Sequence, residues 1–290
     1  MLHRLGKNLR IFPLHGWIGL VFVLVFWWVN WTFDGLRTHW AFTPLWVGYC
    51  FLVDGLVYWR KGTSLFTRGW RAYLGLFGVS IISWWLFELL NLRLQNWSYL
   101  GRELFSDWQF NILATFSFSS VIPAVFGTAE LVGSFSWIRN LQTGWRLKST
   151  KTNVFLFFFL GWVMLVLMLA WPRYFFPFMW LSIYFILEPI NVWLGNRTLA
   201  ASVDRGDWRP VFALWLGALV CGFFWELWNF YSYPKWVYHI PFVDFGHLFE
   251  MPALGYGGYL PFGMELFALY HLVLGFFGRK HDWLYLDMTK

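Results

Sequence analysis

The sequence contains few charged residues and almost no cysteine. Asp, Glu, Lys and Arg make up 13% of the 290 residues, about half the share that a soluble domain carries, so a water-soluble domain is excluded. The two cysteines, Cys50 and Cys221, lie inside apolar runs, which excludes a disulfide framework and a cysteine-based zinc site. Nucleotide-binding and metal-binding motifs are also missing, so no metal and no cofactor are expected.

Apolar and aromatic residues are abundant instead. Hydrophobic residues account for 59% of the chain, which contains 24 Trp, 34 Phe and 13 Tyr. Lipid-facing helices with aromatic belts at both interfaces explain such numbers, and the composition therefore predicts an all-α integral membrane protein. An apolar stretch of about 18–25 residues can cross a bilayer as a helix. Eight such stretches occur, at approximately 14–33, 40–59, 70–92, 110–137, 153–172, 174–194, 209–231 and 254–277.

The positions of the basic residues predict the orientation. With eight spans, both termini and the loops after spans two, four and six share one side, which receives 17 of the 22 Lys and Arg residues. The other side holds Arg37, Arg93, Arg102, Arg173 and Lys235. By the positive-inside rule, we expect a multi-pass protein of the inner (cytoplasmic) membrane with both termini in the cytoplasm. The net charge of +7 then reflects topology and requires no nucleic-acid partner.

The two halves of the chain resemble each other. Residues 1–145 and 146–290 each hold four predicted spans, which together form one membrane-embedded unit. The matching residues include Asp54 and Glu188, Glu88 and Glu226, Asn91 and Asn229, Trp97 and Trp236, and Tyr99 and Tyr238. An even number of spans in each half predicts two tandem four-helix repeats related by a pseudo-twofold axis along the membrane normal.

Carboxyl groups inside the predicted spans are the candidate catalytic residues, because an ionisable group in lipid normally faces a partner or a cavity. They are Glu88, Glu130, Glu226 and Glu265. Glu88 and Glu226 each precede an asparagine by three residues, so acid and amide share a helix face. One interpretation makes these pairs interhelical hydrogen-bonding groups. In the other, aromatic neighbours keep the carboxyl protonated near neutrality, so that it can donate a proton to a substrate.

Other polar and aromatic residues are candidate substrate-binding groups. They are Asp54, Asn91, Trp97, Tyr99, Glu188, Asn229, Trp236 and Tyr238. The Trp-x-Tyr residues also suit an interfacial aromatic belt. Proline and glycine break the segment from Pro234 to Leu260, which is expected to lie along the outer interface as a lid over a central cleft. His247 and Glu250 are three residues apart in this segment, but such a pair alone predicts no metal site.

The second half places three motifs in a recognisable order, namely Trp225-Glu226, Trp236-Val237-Tyr238 and Leu260-Pro261-Phe262-Gly263-Met264-Glu265. This order resembles the repeat of the small membrane-embedded lycopene cyclases, whose units carry an acid on an aromatic helix, a Trp-x-Tyr and a Leu-Pro-x-Glu-Glu motif. The resemblance covers about 70–137 and 209–277, and it departs at the paired Glu, because Leu266 follows Glu265. It implies acid–base chemistry on a carotenoid or a related isoprenoid. The chain also resembles uncharacterised bacterial polytopic membrane proteins, which implies no particular activity.

Three hypotheses about function follow. The first is a membrane enzyme that cyclises, isomerises or hydrates a long isoprenoid or carotenoid-like lipid, with Glu226 or Glu265 as proton donor and Glu88 or Glu130 as proton acceptor. The second is a non-catalytic subunit that binds lipid or pigment among membrane-protein partners. The third is a transporter with binding sites at the interface between the repeats.

Overall fold

The computed structural model describes residues 11–35, 38–141, 144–279 and 286. Within them, eight helical spans are long and apolar enough to cross a membrane, which confirms the predicted number. They are Leu14–Thr32, Trp40–Lys61, Trp70–Leu94, Asp107–Gly133, Lys151–Ala170, Pro172–Leu194, Arg209–Phe230 and Ala253–Phe276. Several basic residues used to predict the orientation, among them Arg4, Lys7, Arg10, Arg37, Lys280 and Lys290, lie outside the described residues.

The helices fall into two similar series along the chain. The first comprises α1 (Leu14–Thr32), α2 (Thr38–Lys61), α3 (Leu65–Arg68), α4 (Trp70–Leu94), α5 (Asp107–Phe118), α6 (Val121–Gly133) and α7 (Ser136–Arg139). The second comprises α8 (Lys151–Ala170), α9 (Pro172–Phe175), α10 (Met179–Leu194), α11 (Leu199–Asp204), α12 (Arg209–Phe230) and α13 (Tyr259–Phe276). Short strands lie between the helices, namely β1 (Trp97–Leu100), β2 (Lys235–Tyr238), β3 (His247–Leu248) and β4 (Met251–Pro252).

The fourth span consists of two helices, α5 and α6, where the sequence predicted one. Pro123 has no backbone N–H and cannot continue the hydrogen-bond ladder across Ser119. The side chain of Ser80 on α4 compensates, because its hydroxyl donates to the Phe118 carbonyl at 2.5 Å and accepts from the Ile122 N–H at 3.0 Å. The broken backbone is therefore satisfied within the protein, as an apolar phase requires.

Close helix crossings join the two halves of the chain. Gly217 on α12 packs so tightly against α6 that a Cβ atom added there would lie 2.7 Å from the backbone N of Ala129. Trp46 of α2 and Trp228 of α12 are fully buried beside each other, with ring centroids 4.9 Å apart. Asn30 of α1 donates to the Trp228 carbonyl at 3.0 Å. The halves thus share one core.

The two ends of the helix bundle differ in character. At one end, which we call the strand end, β1 pairs antiparallel with β2 so that Trp97 faces Tyr238 and Tyr99 faces Trp236. At the other, which we call the basic end, the short helices α3, α7 and α11 follow their spans, and each begins or ends beside Lys or Arg residues.

Substitution of Gly217 by Leu tests the crossing of α12 with α6. The added side chain meets backbone that cannot move aside, and overpacking of this kind typically costs about 1–3 kcal/mol. We expect a lower midpoint of thermal unfolding for the purified protein in detergent. The matched control is Gly75→Leu on α4, because no atom lies within 4 Å of a Cβ added at that exposed position. Equal midpoints for the two variants would contradict the crossing.

Candidate functional site

The strand end encloses a large apolar chamber. Its volume is about 460 Å³, within the range of about 300–1,000 Å³ found for small-molecule sites. Residues from both halves of the chain line it, including Phe42, Trp84, Trp97, Tyr99, Phe110, Phe118, Trp180, Trp225, Trp236, Tyr238, Tyr259 and Phe262. The segment after β2 closes part of it through Ile240, Val243, Met251 and Leu254. The chamber therefore suits the apolar body of a lipid better than a polar solute.

The carboxyl group of Glu226 lies behind the chamber wall. Glu226 on α12 is fully buried, and its Oε1 accepts hydrogen bonds from the hydroxyls of Tyr238 at 2.6 Å and Tyr259 at 2.8 Å. Its Oε2 has no hydrogen-bond partner among the described residues. Both tyrosines line the chamber, so Glu226 is one hydrogen bond away from any molecule inside.

Glu88 holds an equivalent set of aromatic donors in the first half. Its Oε1 accepts from Tyr99 Oη at 2.5 Å, Trp97 Nε1 at 3.1 Å and Trp84 Nε1 at 3.1 Å. All three donors line the chamber. Burial and the neighbouring Glu88 charge raise the pKa of Tyr99 well above its ordinary value, and burial together with Glu226 does the same to the pKa of Tyr238. Both phenols therefore stay protonated and act as donors.

The two asparagines fasten the strands to the helices. Asn91 donates to the Trp97 carbonyl at 2.9 Å and accepts from the Asn96 N–H at 2.9 Å. Asn229 donates to the Trp236 carbonyl at 2.7 Å and accepts from the Trp236 N–H at 3.0 Å. Neither asparagine lines the chamber, and their contacts orient the strand residues that do. Acid and amide on one helix face therefore hold one strand between them.

Glu265 and Glu130 occupy different surroundings. Glu265 is buried on α13 one turn beyond Pro261 and Phe262, which line the chamber, but Glu265 itself does not. The backbone of Tyr184 lies beside its carboxyl, and neither of its oxygens makes a hydrogen bond of good geometry to a described residue. Glu130 lies at the basic end, where it pairs with Lys61 at 2.8 Å and Arg68 at 2.5 Å.

Asp54 and Glu188 bind the backbone of the short helices that follow their spans. Asp54 Oδ1 accepts from the Phe66 N–H of α3 at 3.0 Å, and Glu188 Oε1 accepts from the Ala200 N–H of α11 at 2.7 Å. The acceptor precedes the donor by twelve residues in both cases. His15 Nε2 lies 3.0 Å from the second oxygen of Asp54. These carboxyls belong to the basic end and do not line the chamber.

The segment between β2 and α13 contains two ion pairs. His247 pairs with Asp244 at 2.9 Å, and Glu250 pairs with Lys235. Within the described ranges, no group of three or more His, Cys, Asp or Glu side chains is placed to hold a metal ion. His247 and Glu250 therefore have separate partners.

Sequence reasoning missed several residues of this site. Tyr259 is a partner of Glu226 that lies 33 positions away, and Trp84 is a partner of Glu88 one helical turn before it. Trp84 carries a usable signal, since it shares a helix face with Glu88. Lys235 also lines the chamber, and nothing in the sequence distinguishes it from the other basic residues on its side.

Comparisons with known proteins add no relative: the chain matches no protein-family model, no curated protein and no solved structure.

Replacing Asn91 or Asn229 by Ala tests the fastening of the strands. Each change leaves buried backbone groups of a strand without a partner, which costs about 1–3 kcal/mol. We expect both variants to unfold at lower temperature in detergent, and by similar amounts. Asn111→Ala is the control, because this asparagine is exposed on α5. Loss of stability in only one of the two variants would show that the two amides do different work.

Proposed function

We propose that this protein is a membrane enzyme that binds a long isoprenoid or carotenoid-like lipid in the chamber and moves protons on it. The observation that carries the proposal is the pairing of each buried carboxyl, Glu88 and Glu226, with phenol and indole groups that line the same apolar chamber. Cyclisation and double-bond isomerisation both require one proton to be added and one removed. Two separate acid–tyrosine units meet that requirement.

The direction of the hydrogen bonds suggests how a proton moves. Tyr238 and Tyr259 donate to Glu226, so either phenol oxygen can accept a proton from a cationic intermediate while passing its own to the carboxylate. Protonated Glu226 returns a proton to an alkene of the next molecule by the reverse path. Tyr99 with Glu88 forms the second unit. Each complete turnover leaves the protein in its starting protonation state.

The aromatic lining suits a cationic intermediate. Protonation of an alkene gives a carbocation, and an aromatic face stabilises a nearby cation by about 2 kcal/mol or more when water is excluded. A phenol or indole that donates a hydrogen bond to a carboxylate becomes more electron-rich, because hydrogen bonds polarise their partners. Glu88 and Glu226 therefore strengthen the walls of the chamber as well as supplying proton sites.

The proposal includes two repeats related by a pseudo-twofold axis along the membrane normal. Support comes from matching contacts: the Asn91 and Asn229 bonds, the Tyr99 and Tyr238 bonds, and the Asp54 and Glu188 bonds to short helices recur in both halves. The antiparallel pairing of β1 with β2 in a symmetric register agrees with such an axis running between Ser98 and Val237.

We also propose the orientation and membrane. The basic end would face the cytoplasm, so that the strand end and its chamber lie at the outer interface of the inner membrane. The excess of Lys and Arg in the loops of the basic end supports this assignment.

A non-catalytic subunit that binds lipid or pigment is the second candidate. One observation favours it: no carboxyl oxygen reaches the chamber directly, since aromatic side chains stand between. In that case the carboxyls only hold the chamber wall in place. A transporter receives less support, because Asp54 and Glu188 bind helix backbone at the basic end rather than an open path.

The substitution Glu226→Gln separates these candidates. The amide keeps the shape of the side chain but cannot exchange a proton, and general acid–base catalysis is worth about 10²–10⁴ in rate. In cells that accumulate lycopene, we expect product formation to fall at least about 100-fold, while the purified variant still retains polyene by absorption spectroscopy. The same loss is expected for Tyr238→Phe combined with Tyr259→Phe.

Two controls accompany this experiment. Glu103→Gln removes an exposed carboxyl at the same end and should leave product formation unchanged. Glu265→Gln asks whether the buried acid beyond Pro261 takes part. Bound but unmodified polyene in the wild-type protein would favour the non-catalytic subunit, and no retained polyene in any form would overturn both candidates.

Cysteine labelling tests the orientation. Asp244→Cys places a thiol on an exposed position of the strand end, and Lys148→Cys places one on an exposed position of the basic end. Native Cys50 and Cys221 are buried and should remain unlabelled. We expect a membrane-impermeant maleimide to modify the first variant in cells whose outer membrane alone is permeabilised, and the second only after lysis. The reverse pattern would invert the proposed topology.

A further inference from the structure

One charged side chain interrupts the apolar lining of the chamber. Among the described residues that line it, Lys235 is the one that carries charge, and the remainder are aromatic, aliphatic, glycine, proline or neutral polar. Its side chain is 21% exposed. A cation in the wall of an otherwise apolar cavity costs desolvation energy, so its position there calls for an explanation.

The contacts of Lys235 leave capacity for a ligand. Its ammonium donates to the carbonyl of Phe230 at 3.2 Å and to Glu250 Oε1, and it lies 5.6 Å from the centroid of the Phe230 ring. An ammonium has three N–H donors, so one remains after these two bonds. Glu250 does not line the chamber, which means that Lys235 presents positive charge to the chamber while its counter-ion stays outside.

Other cations near this end are placed differently. Arg102 pairs with Asp107 and donates to the Phe105 carbonyl at 3.1 Å. Arg173 lies over the Phe242 ring, 5.5 Å from its centroid. Neither arginine lines the chamber. The lining therefore selects one position for a negative group, beside the start of β2.

We propose that Lys235 binds the anionic phosphate head group of an amphipathic isoprenoid lipid whose chain occupies the chamber. This inference rests on the proposed lipid-binding function and names the class of lipid: one bearing a phosphate rather than an unfunctionalised hydrocarbon. The phosphate competes with Glu250 for the ammonium. Because Glu250 belongs to the segment that covers the chamber, the arriving head group also loosens the ion pair that ties this segment to β2.

Binding of matched lipids to the full-length protein in detergent tests the proposal. The probes are farnesyl phosphate, farnesol and inorganic phosphate, measured by competition against a fluorescent isoprenoid. For the wild-type protein, we expect farnesyl phosphate to bind at least about tenfold more tightly than farnesol. Inorganic phosphate at the same concentration should not compete, since it lacks the chain that fills the chamber.

Variants identify the group responsible. Lys235→Met should lose the preference for farnesyl phosphate while binding farnesol as before, and Lys235→Arg should retain the preference. Glu250→Gln should increase the preference, because the competing negative charge is removed. Arg93→Met is the matched control: it removes a positive charge on the same side of the membrane map from a residue that does not line the chamber, and it should change nothing.

The outcomes separate this inference from the function on which it rests. Equal binding of farnesol and farnesyl phosphate by the wild-type protein, or an unchanged preference in Lys235→Met, would overturn the head-group site and leave the lipid chamber standing. Failure of both lipids to bind would overturn the chamber as a lipid site and the head-group site together. Competition by inorganic phosphate alone would show a site for the free anion and contradict an amphipathic ligand.

Discussion

A carboxyl group inside an apolar span must obtain its hydrogen bonds from the protein, because the lipid offers none. The strand end is organised around this constraint. Glu88 draws two indoles and a phenol to one oxygen, and Glu226 draws two phenols. Donors so fixed cannot pack at random, so their rings stand as walls. The chamber is the space that those walls enclose, and its shape follows from the positions of two acids.

The same constraint operates at the basic end with a different solution. There Glu130 is neutralised by Lys61 and Arg68, which the cytoplasmic loop composition supplies in excess. Asp54 and Glu188 instead accept backbone N–H groups of α3 and α11, where a short helix begins and leaves donors unsatisfied. Acids of one type thus serve three purposes, decided by whether cations, helix starts or aromatic donors are within reach.

The sequence predicts the spans well because the bilayer imposes a length and a composition that can be counted along the chain. It also predicts that Glu88 with Asn91, and Glu226 with Asn229, act together, since three-residue spacing fixes a shared helix face. It does not predict the partner of Glu226 at Tyr259, because that contact depends on how α13 packs beside α12. The break between α5 and α6 escapes for a similar reason: Pro123 is visible in the sequence, but the Ser80 hydroxyl that makes a complete interruption tolerable belongs to another helix. Glu130 appears catalytic in sequence only because its cations lie 69 and 62 residues away.

Structural and chemical roles of the buried acids are not alternatives in this fold. An acid that fixes the rings of a chamber also increases their electron density and sits one proton transfer from the interior. Removing the charge but keeping the shape therefore isolates the chemistry, whereas removing the side chain would remove the chamber as well. The two units also differ: Glu88 satisfies one oxygen with three donors, while Glu226 is fully buried and keeps one oxygen without a described partner. Additional donors stabilise the carboxylate form, so Glu88 is the better resident anion and Glu226 the better group to gain and lose a proton. Duplication of one structural unit thus leaves room for a division of labour between its copies.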